Sequence, residues 1–202
     1  MLLIALHHAA SLMKALVLDG SYSNDRIARE ALQIVTSVLV DCGLDAEVMH
    51  LENMVIRECV GCFNCWIKTP GICVMDDEGR ILTERMINED LLVLITPIAF
   101  GGYSYLLKRA MERLIPALHP FFIRMESETH HMKRYGEYPA LLVVGLMAEP
   151  DSVSEAIFRR LVTRNAINLH SPSSSTIVIS SEDLGLLGDK VDSSLEGMGM
   201  IQ

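Results

Sequence analysis

Three short runs of apolar residues set the strongest limit on what this chain can fold into. They are Ala15-Leu16-Val17-Leu18-Asp19, Leu91-Leu92-Val93-Leu94-Ile95-Thr96 and the stretch from Ala140 to Leu146. None alternates between apolar and polar positions, so each has to be covered on both faces. Weaker strands are expected at Asp45 to Leu51 and Ser175 to Ile179. Helical spacing fills the intervals. Ile27, Ala28, Ala31, Leu32, Val35, Val38 and Leu39 recur about one turn apart up to Cys42-Gly43, and that glycine is a helix stop. Further helices are expected from Ile81 to Asn88, from Tyr103 to Leu114 and from Ser152 to Asn168. Residues 52 to 80 read as irregular, and 117 to 138 as a long polar insertion with aromatics. The tail from Glu182 to Gln202 is Gly-rich, acidic and only weakly helical, so a closing helix is not expected. Buried strands alternating with helices specify an α/β domain with a parallel sheet between two helical layers. Such sheets bind ligands beyond the carboxyl ends of their strands. The informative loops are therefore 20–25, 97–102 and 147–151.

The chain has 202 residues, which fits one domain. Its formal net charge of -9 argues against nucleic acid, whose binders neutralise phosphates with Lys and Arg. It also argues against anionic membrane surfaces, and no stretch reaches the roughly 18 apolar residues needed to span a bilayer. Met1 to Leu12 is apolar but lacks a basic start and a small-residue cleavage site. It reads as an extension ahead of a single domain over 13–202, and the location expected is cytoplasmic.

Five patterns could carry chemistry. Gly20-Ser21-Tyr22-Ser23-Asn24 lies between a buried strand and a helix, where backbone N–H groups, hydroxyls and the helix N-terminus can hold a phosphate. An ordinary capped turn would look similar. Thr96-Pro97-Ile98-Ala99-Phe100-Gly101-Gly102 stops a strand and lets backbone approach a flat ligand, or merely packs its own hydrophobes. Cys59, Cys62, Cys65 and Cys73 fall within fifteen residues. Without an export signal they point to metal, cluster or redox chemistry rather than a disulfide framework. Asp76-Asp77-Glu78 could bind a hard cation or form a solvated cap. His119, His130 and His131, with Arg134-Tyr135, could touch a second substrate or line a satisfied polar loop.

In this order the pieces resemble the NADPH-dependent FMN reductase and iron–sulfur flavoprotein group of the flavodoxin-like superfamily. The likeness covers about residues 13 to 180. It is carried by Gly20-Ser21, by Cys59-Val60-Gly61-Cys62-Phe63-Asn64-Cys65-Trp66, by Pro70-Gly71-Ile72-Cys73 with Asp76-Asp77, and by Thr96 to Gly101. Leu107-Lys108 and Glu112-Arg113 continue it. The resemblance implies a three-layer flavodoxin-like fold, with a five-stranded sheet in the order 2-1-3-4-5. It implies FMN at the strand ends, NAD(P)H as reductant, a small-molecule or electron-carrier redox partner, and a homodimer or homotetramer. By position, Ser21, Ser23 and Asn24 would hold the FMN phosphate, and Pro97, Ile98, Ala99, Phe100 and Gly101 would border the ring. Cys59, Cys62, Cys65 and Cys73 would ligate a 4Fe-4S cluster in the iron–sulfur branch, which relays single electrons. No catalytic side chain is assigned, because hydride uptake by a flavin needs no protein acid or base. Asp25 stands where a hydroxyl residue is usual and Ala99 where a tyrosine is common. That leaves open a flavodoxin-like binding module without flavin.

Overall fold

A computed structural model describes residues 12–125 and 127–201; the expected extension up to residue 11 lies outside the described residues. The elements are β1 (Lys14–Asp19), α1 (Arg26–Asp41), β2 (Asp45–His50), α2 (Asn64–Ile67), α3 (Gly79–Met86), β3 (Leu91–Pro97) and α4 (Tyr105–Glu112). They continue with β4 (Leu118–Met125), β5 (Glu128–Lys133), β6 (Ala140–Met147), α5 (Ser152–Asn168), β7 (Ser174–Ser180) and α6 (Leu187–Gly197). Five strands form one parallel sheet in the order β2-β1-β3-β6-β7. With β4 and β5 set aside in a separate hairpin, this is the flavodoxin order 2-1-3-4-5.

The continuous apolar runs are explained by two cores. Leu16, Leu18, Leu92, Leu94, Leu141 and Val143 face α3, α4 and α5. The alternate positions Ala15, Val17, Leu91, Val93, Ile95, Leu142 and Val144 face α1 and α6. Successive side chains in a strand point to opposite faces, so a run that is buried at every position feeds both layers. Each fully buried Leu or Val contributes about 1.5–3 kcal/mol.

The chain leaves β1 toward β2 on one side and returns to β3 on the other, which makes β1/β3 the switch point of the sheet. Asp19 pairs in register with Ile95, so the loops after both strands emerge side by side. The two are fastened by three buried groups. Ser104 Oγ donates to the Gly20 carbonyl at 2.5 Å and accepts from the Leu107 amide at 3.2 Å. The Ser104 amide in turn donates to Thr96 Oγ1 at 2.9 Å. Ser104 is thus the N-cap of α4 and a clasp across the switch point. Gly20 has its own reason to be glycine: a Cβ there would sit 2.7 Å from Leu107 Cβ. The missing side chain makes room for α4, rather than for a ligand.

Two expectations need correction. Residues 117–138, expected as a long polar insertion with no strand assigned, form largely an antiparallel hairpin, β4–β5. Phe121, Phe122 and Ile123 are consecutive and all exposed, so the strand carries no alternating pattern. Its turn uses Ser127 at φ 70, without the Gly or Asn that announces a hairpin. The tail does supply a closing helix, α6, which buries Leu187, Val191 and Leu195. That i, i+4, i+8 spacing outweighs the poor intrinsic propensity of the surrounding Gly, Ser and Asp residues.

Gly20→Ala should lower stability by about 1–3 kcal/mol through overpacking against α4. A urea titration should show a lower midpoint at unchanged slope.

Candidate functional site

The loop after β1 gathers the first set of expected residues. Ser21 is buried, and its amide and hydroxyl both donate to Asp19 Oδ1, at 3.0 and 2.5 Å. His50, at the end of β2, holds the other oxygen of Asp19 at 2.9 Å. The Ser23 amide donates to Glu52 Oε2 at 2.6 Å. Asp25 caps α1 by accepting from the Ala28 amide at 3.0 Å. Ser23 and Asn24 are exposed. Three amides of this loop and of the first turn of α1 are therefore aimed at carboxylate oxygens. A cavity of about 190 Å³ opens beside them, bordered by Ser21, Tyr22, Ser23 and His50. A phosphate oxygen is the same kind of acceptor, so it would fit these donors only by taking the place of a carboxylate.

The loop after β3 gathers the second set. Ile98 prolongs β3 by donating its amide to the Leu146 carbonyl at 2.8 Å. Ala99 and Gly102 exchange hydrogen bonds of 3.0 and 2.9 Å around Phe100 and Gly101. With φ of 51° and 74° these two form a tight turn of the mirror-image type. Gly101 is confined to glycine by that φ and by Ile157, whose Cγ2 would lie 2.8 Å from a Cβ. Phe100 has no such freedom, and a left-handed conformation costs it about 1–2 kcal/mol. Its side chain is nonetheless fully exposed, at 106% of the reference area. Phe100 is thus an aromatic ring on a strained backbone, offered to solvent at the strand ends. Loop 147–151 supplies mainly the cap of α5, with Asp151 accepting from the Val153 and Ser154 amides.

The cysteine loop runs along α4. At one end Tyr105, in the first turn of α4, donates its hydroxyl to Glu58. Past the other end Trp66 Nε1 donates to the Leu118 carbonyl at 3.0 Å. All four cysteines of the loop are free thiols. Burial, and the neighbouring Cys73, Cys59 and Cys62, push the Cys65 thiol up. Among the described residues, no three His, Cys, Asp or Glu side chains come close enough to hold a single metal ion. A cubane cluster, with its own inorganic core between the thiolates, takes a wider set of sulfurs than one ion does. The four free thiols at residues 59, 62, 65 and 73 supply the type of donor such a cluster takes.

Sequence reading did not foresee what anchors this loop. Arg113 is 1% exposed and grips Asp77 with two hydrogen bonds of 2.9 and 2.8 Å. It also donates to the Arg57 carbonyl at 2.7 Å. Asp77 accepts in addition from the amides of Arg57 and Gly79. Of the acidic trio, Asp77 is therefore the structural member. Asp76 pairs with Arg80, and Glu78 accepts from the Val55 amide. Burial opposes the Asp77 charge, but the hydrogen bonds from Arg113 and Arg57 outweigh it and hold the carboxyl below the usual carboxylate range. Burial also opposes the Arg113 charge, and Asp77 and the adjacent Cys73 outweigh it in turn.

The histidines of the hairpin lie away from the strand ends. His130 is buried and hydrogen-bonded through Nδ1 to Asn168 Oδ1 at 2.8 Å. Since α5 runs back from the carboxyl edge, Asn168 marks the opposite edge. His131 is stacked between Trp66 and Phe122, with ring centroids 4.8 and 4.6 Å away. Arg134 donates to the Pro116 and Leu118 carbonyls at 2.9 and 3.0 Å. These groups tie the hairpin to the cysteine loop and to α5. They do not reach loops 20–25 or 97–102.

Asp77→Asn should cost about 3–5 kcal/mol, because it leaves the Arg113 charge buried without its partner. Asp77 is more acidic folded than unfolded, so the stability it adds is full above the ordinary carboxylate range and is lost as the pH falls below it. Urea midpoints measured from neutral pH downward should show the gap between wild type and variant narrowing with acidity.

A family model described as NADPH-dependent FMN reductase matches residues 13–170. An iron-sulfur flavoprotein of Archaeoglobus fulgidus is 32% identical over 101 residues, covering 50% of this chain and 48% of the relative. An iron-sulfur flavoprotein of Methanocaldococcus jannaschii is 32% identical over 117 residues, covering 55% and 57%. The matches thus span about half the length of these curated relatives. An NAD(P)H:quinone oxidoreductase from Methanothermobacter marburgensis superposes with a TM-score of 0.69 at 16% identity, over 91% of this chain and 95% of the other, and so shares the fold. The family match takes in the switch-point loops, the cysteine loop and most of the sheet, and the chain belongs to the NADPH-dependent FMN reductase family.

Proposed function

We propose that this protein binds FMN across the β1/β3 switch point and works as an NAD(P)H-dependent oxidoreductase. The observation that carries the reading is the pairing of two loops at one edge. One aims backbone donors at oxyanions, and the other presents a strained, solvent-facing Phe100. Ser21, Ser23 and Asn24 would hold the phosphate, and Pro97, Ile98, Ala99, Phe100 and Gly101 would border the ring. FMN, when bound, supplies the chemistry of accepting hydride and releasing electrons. The chain's own part is to bind, to orient and to exclude water. The Ser104 clasp keeps the two loops in fixed register, and the tight turn at Ala99–Gly102 holds the ring-facing backbone still. Electrons would leave to a small molecule or an electron carrier.

A second reading is favoured by the cysteine spacing and by the names of the curated relatives. In it, Cys59, Cys62, Cys65 and Cys73 ligate a 4Fe-4S cluster, and the protein passes single electrons between that cluster and FMN.

Protein purified without oxygen tests both. The lead reading predicts a flavin spectrum that NAD(P)H bleaches. Retention of about four irons per chain, lost when any of the four cysteines becomes serine, selects the second reading. Protein that neither retains added FMN nor quenches its fluorescence contradicts both, and favours a binding module without flavin. Phe100→Ala should weaken FMN binding about tenfold, the scale of one aromatic contact. Its urea midpoint should not fall, since the ring is exposed and the backbone strained.

A further inference from the structure

The acids that occupy the loop after β1 are not equivalent. Asp19 and Asp25 each accept from amides two or three residues along the chain, as turn and cap residues do. Glu52 comes from a different strand end. It lies in the short turn Leu51–Asn53 that follows β2, and it reaches across to the Ser23 amide 29 residues away. The carboxylate is exposed, and among the described residues it pairs with no cation. At 2.6 Å the contact has the short length of a charge-assisted hydrogen bond. It lines the same cavity as Asp19, Ser21, Ser23, Arg29 and His50, and no ion pair joins it to Arg29. An anion that could be fully hydrated is instead spent on one backbone donor of the phosphate loop.

We propose that Glu52 fills the place of the flavin's phosphate, and that a phosphorylated flavin binds by displacing it. Glu52 is then the residue that sets how strongly this site prefers a phosphorylated flavin over an unphosphorylated one. The inference rests on the flavin reading above. One amide hydrogen cannot serve both oxyanions, and a carboxylate left beside a phosphate repels it. A flavin without phosphate meets neither obstacle. Displacement needs no backbone change, because Glu52 is held to Ser23 by this single contact and can swing into solvent.

The test is Glu52→Gln, which keeps an acceptor for the Ser23 amide and removes the charge. Glu52 is exposed, so the variant should unfold at the wild-type urea midpoint. FMN and riboflavin are titrated into both proteins at low salt and followed by flavin fluorescence. The variant should bind FMN about tenfold more tightly than wild type, the scale of one partly screened like-charge contact. Riboflavin affinity should be the same in both. An FMN affinity unchanged or weakened by the substitution overturns the inference while leaving the flavin reading intact. So does a riboflavin affinity that moves by the same factor. If neither protein binds either flavin, the flavin reading falls and the inference falls with it.

Discussion

Ser104 joins three elements through one hydroxyl and one amide. It caps α4, grips the carbonyl of Gly20 at the end of β1, and donates to Thr96 at the end of β3. All of these groups are buried, so each bond replaces a solvation that is no longer available. The consequence is positional. The loops that follow β1 and β3 are fixed against each other and against the helix between them. Gly20 completes the arrangement by letting α4 approach to van der Waals distance. A ligand that spans the two loops meets a preset gap and need not organise it.

The layered sheet was legible because its signal is strong and simple. Runs such as Leu91 to Ile95, apolar at every position, read as strands buried on both faces, and their two alternating side-chain sets do face two separate cores. The hairpin was illegible for the converse reason. Its outer strand buries little, so Phe121, Phe122 and Ile123 show no period. The closing helix was hidden by composition: Gly188, Ser193 and Ser194 suggest a loose tail, while three residues spaced four apart do the packing.

The site was legible in place more than in detail. Both loops lie at the carboxyl ends of neighbouring strands, as their place in the sequence implied. The partners of those loops were not visible, because Asp19, His50 and Glu52 belong to no motif and meet only through the β1–β2 register. Arg113 and Asp77 were separated by 36 residues and gave no sign of being a buried pair. That pair fixes the cysteine loop along α4 and leaves its thiols free.

The central claim is that flavin lies across the switch point, with its phosphate at the β1 loop and its ring against the Phe100–Gly101 turn. A crystal structure of the protein with FMN, grown without oxygen, tests it most directly. The account predicts phosphate density at the Ser21–Asn24 backbone with the Glu52 carboxylate moved out of reach of Ser23, and ring density beside Pro97 to Gly101. Flavin bound elsewhere would contradict it; phosphate density with Glu52 still on the Ser23 amide would overturn the displacement alone.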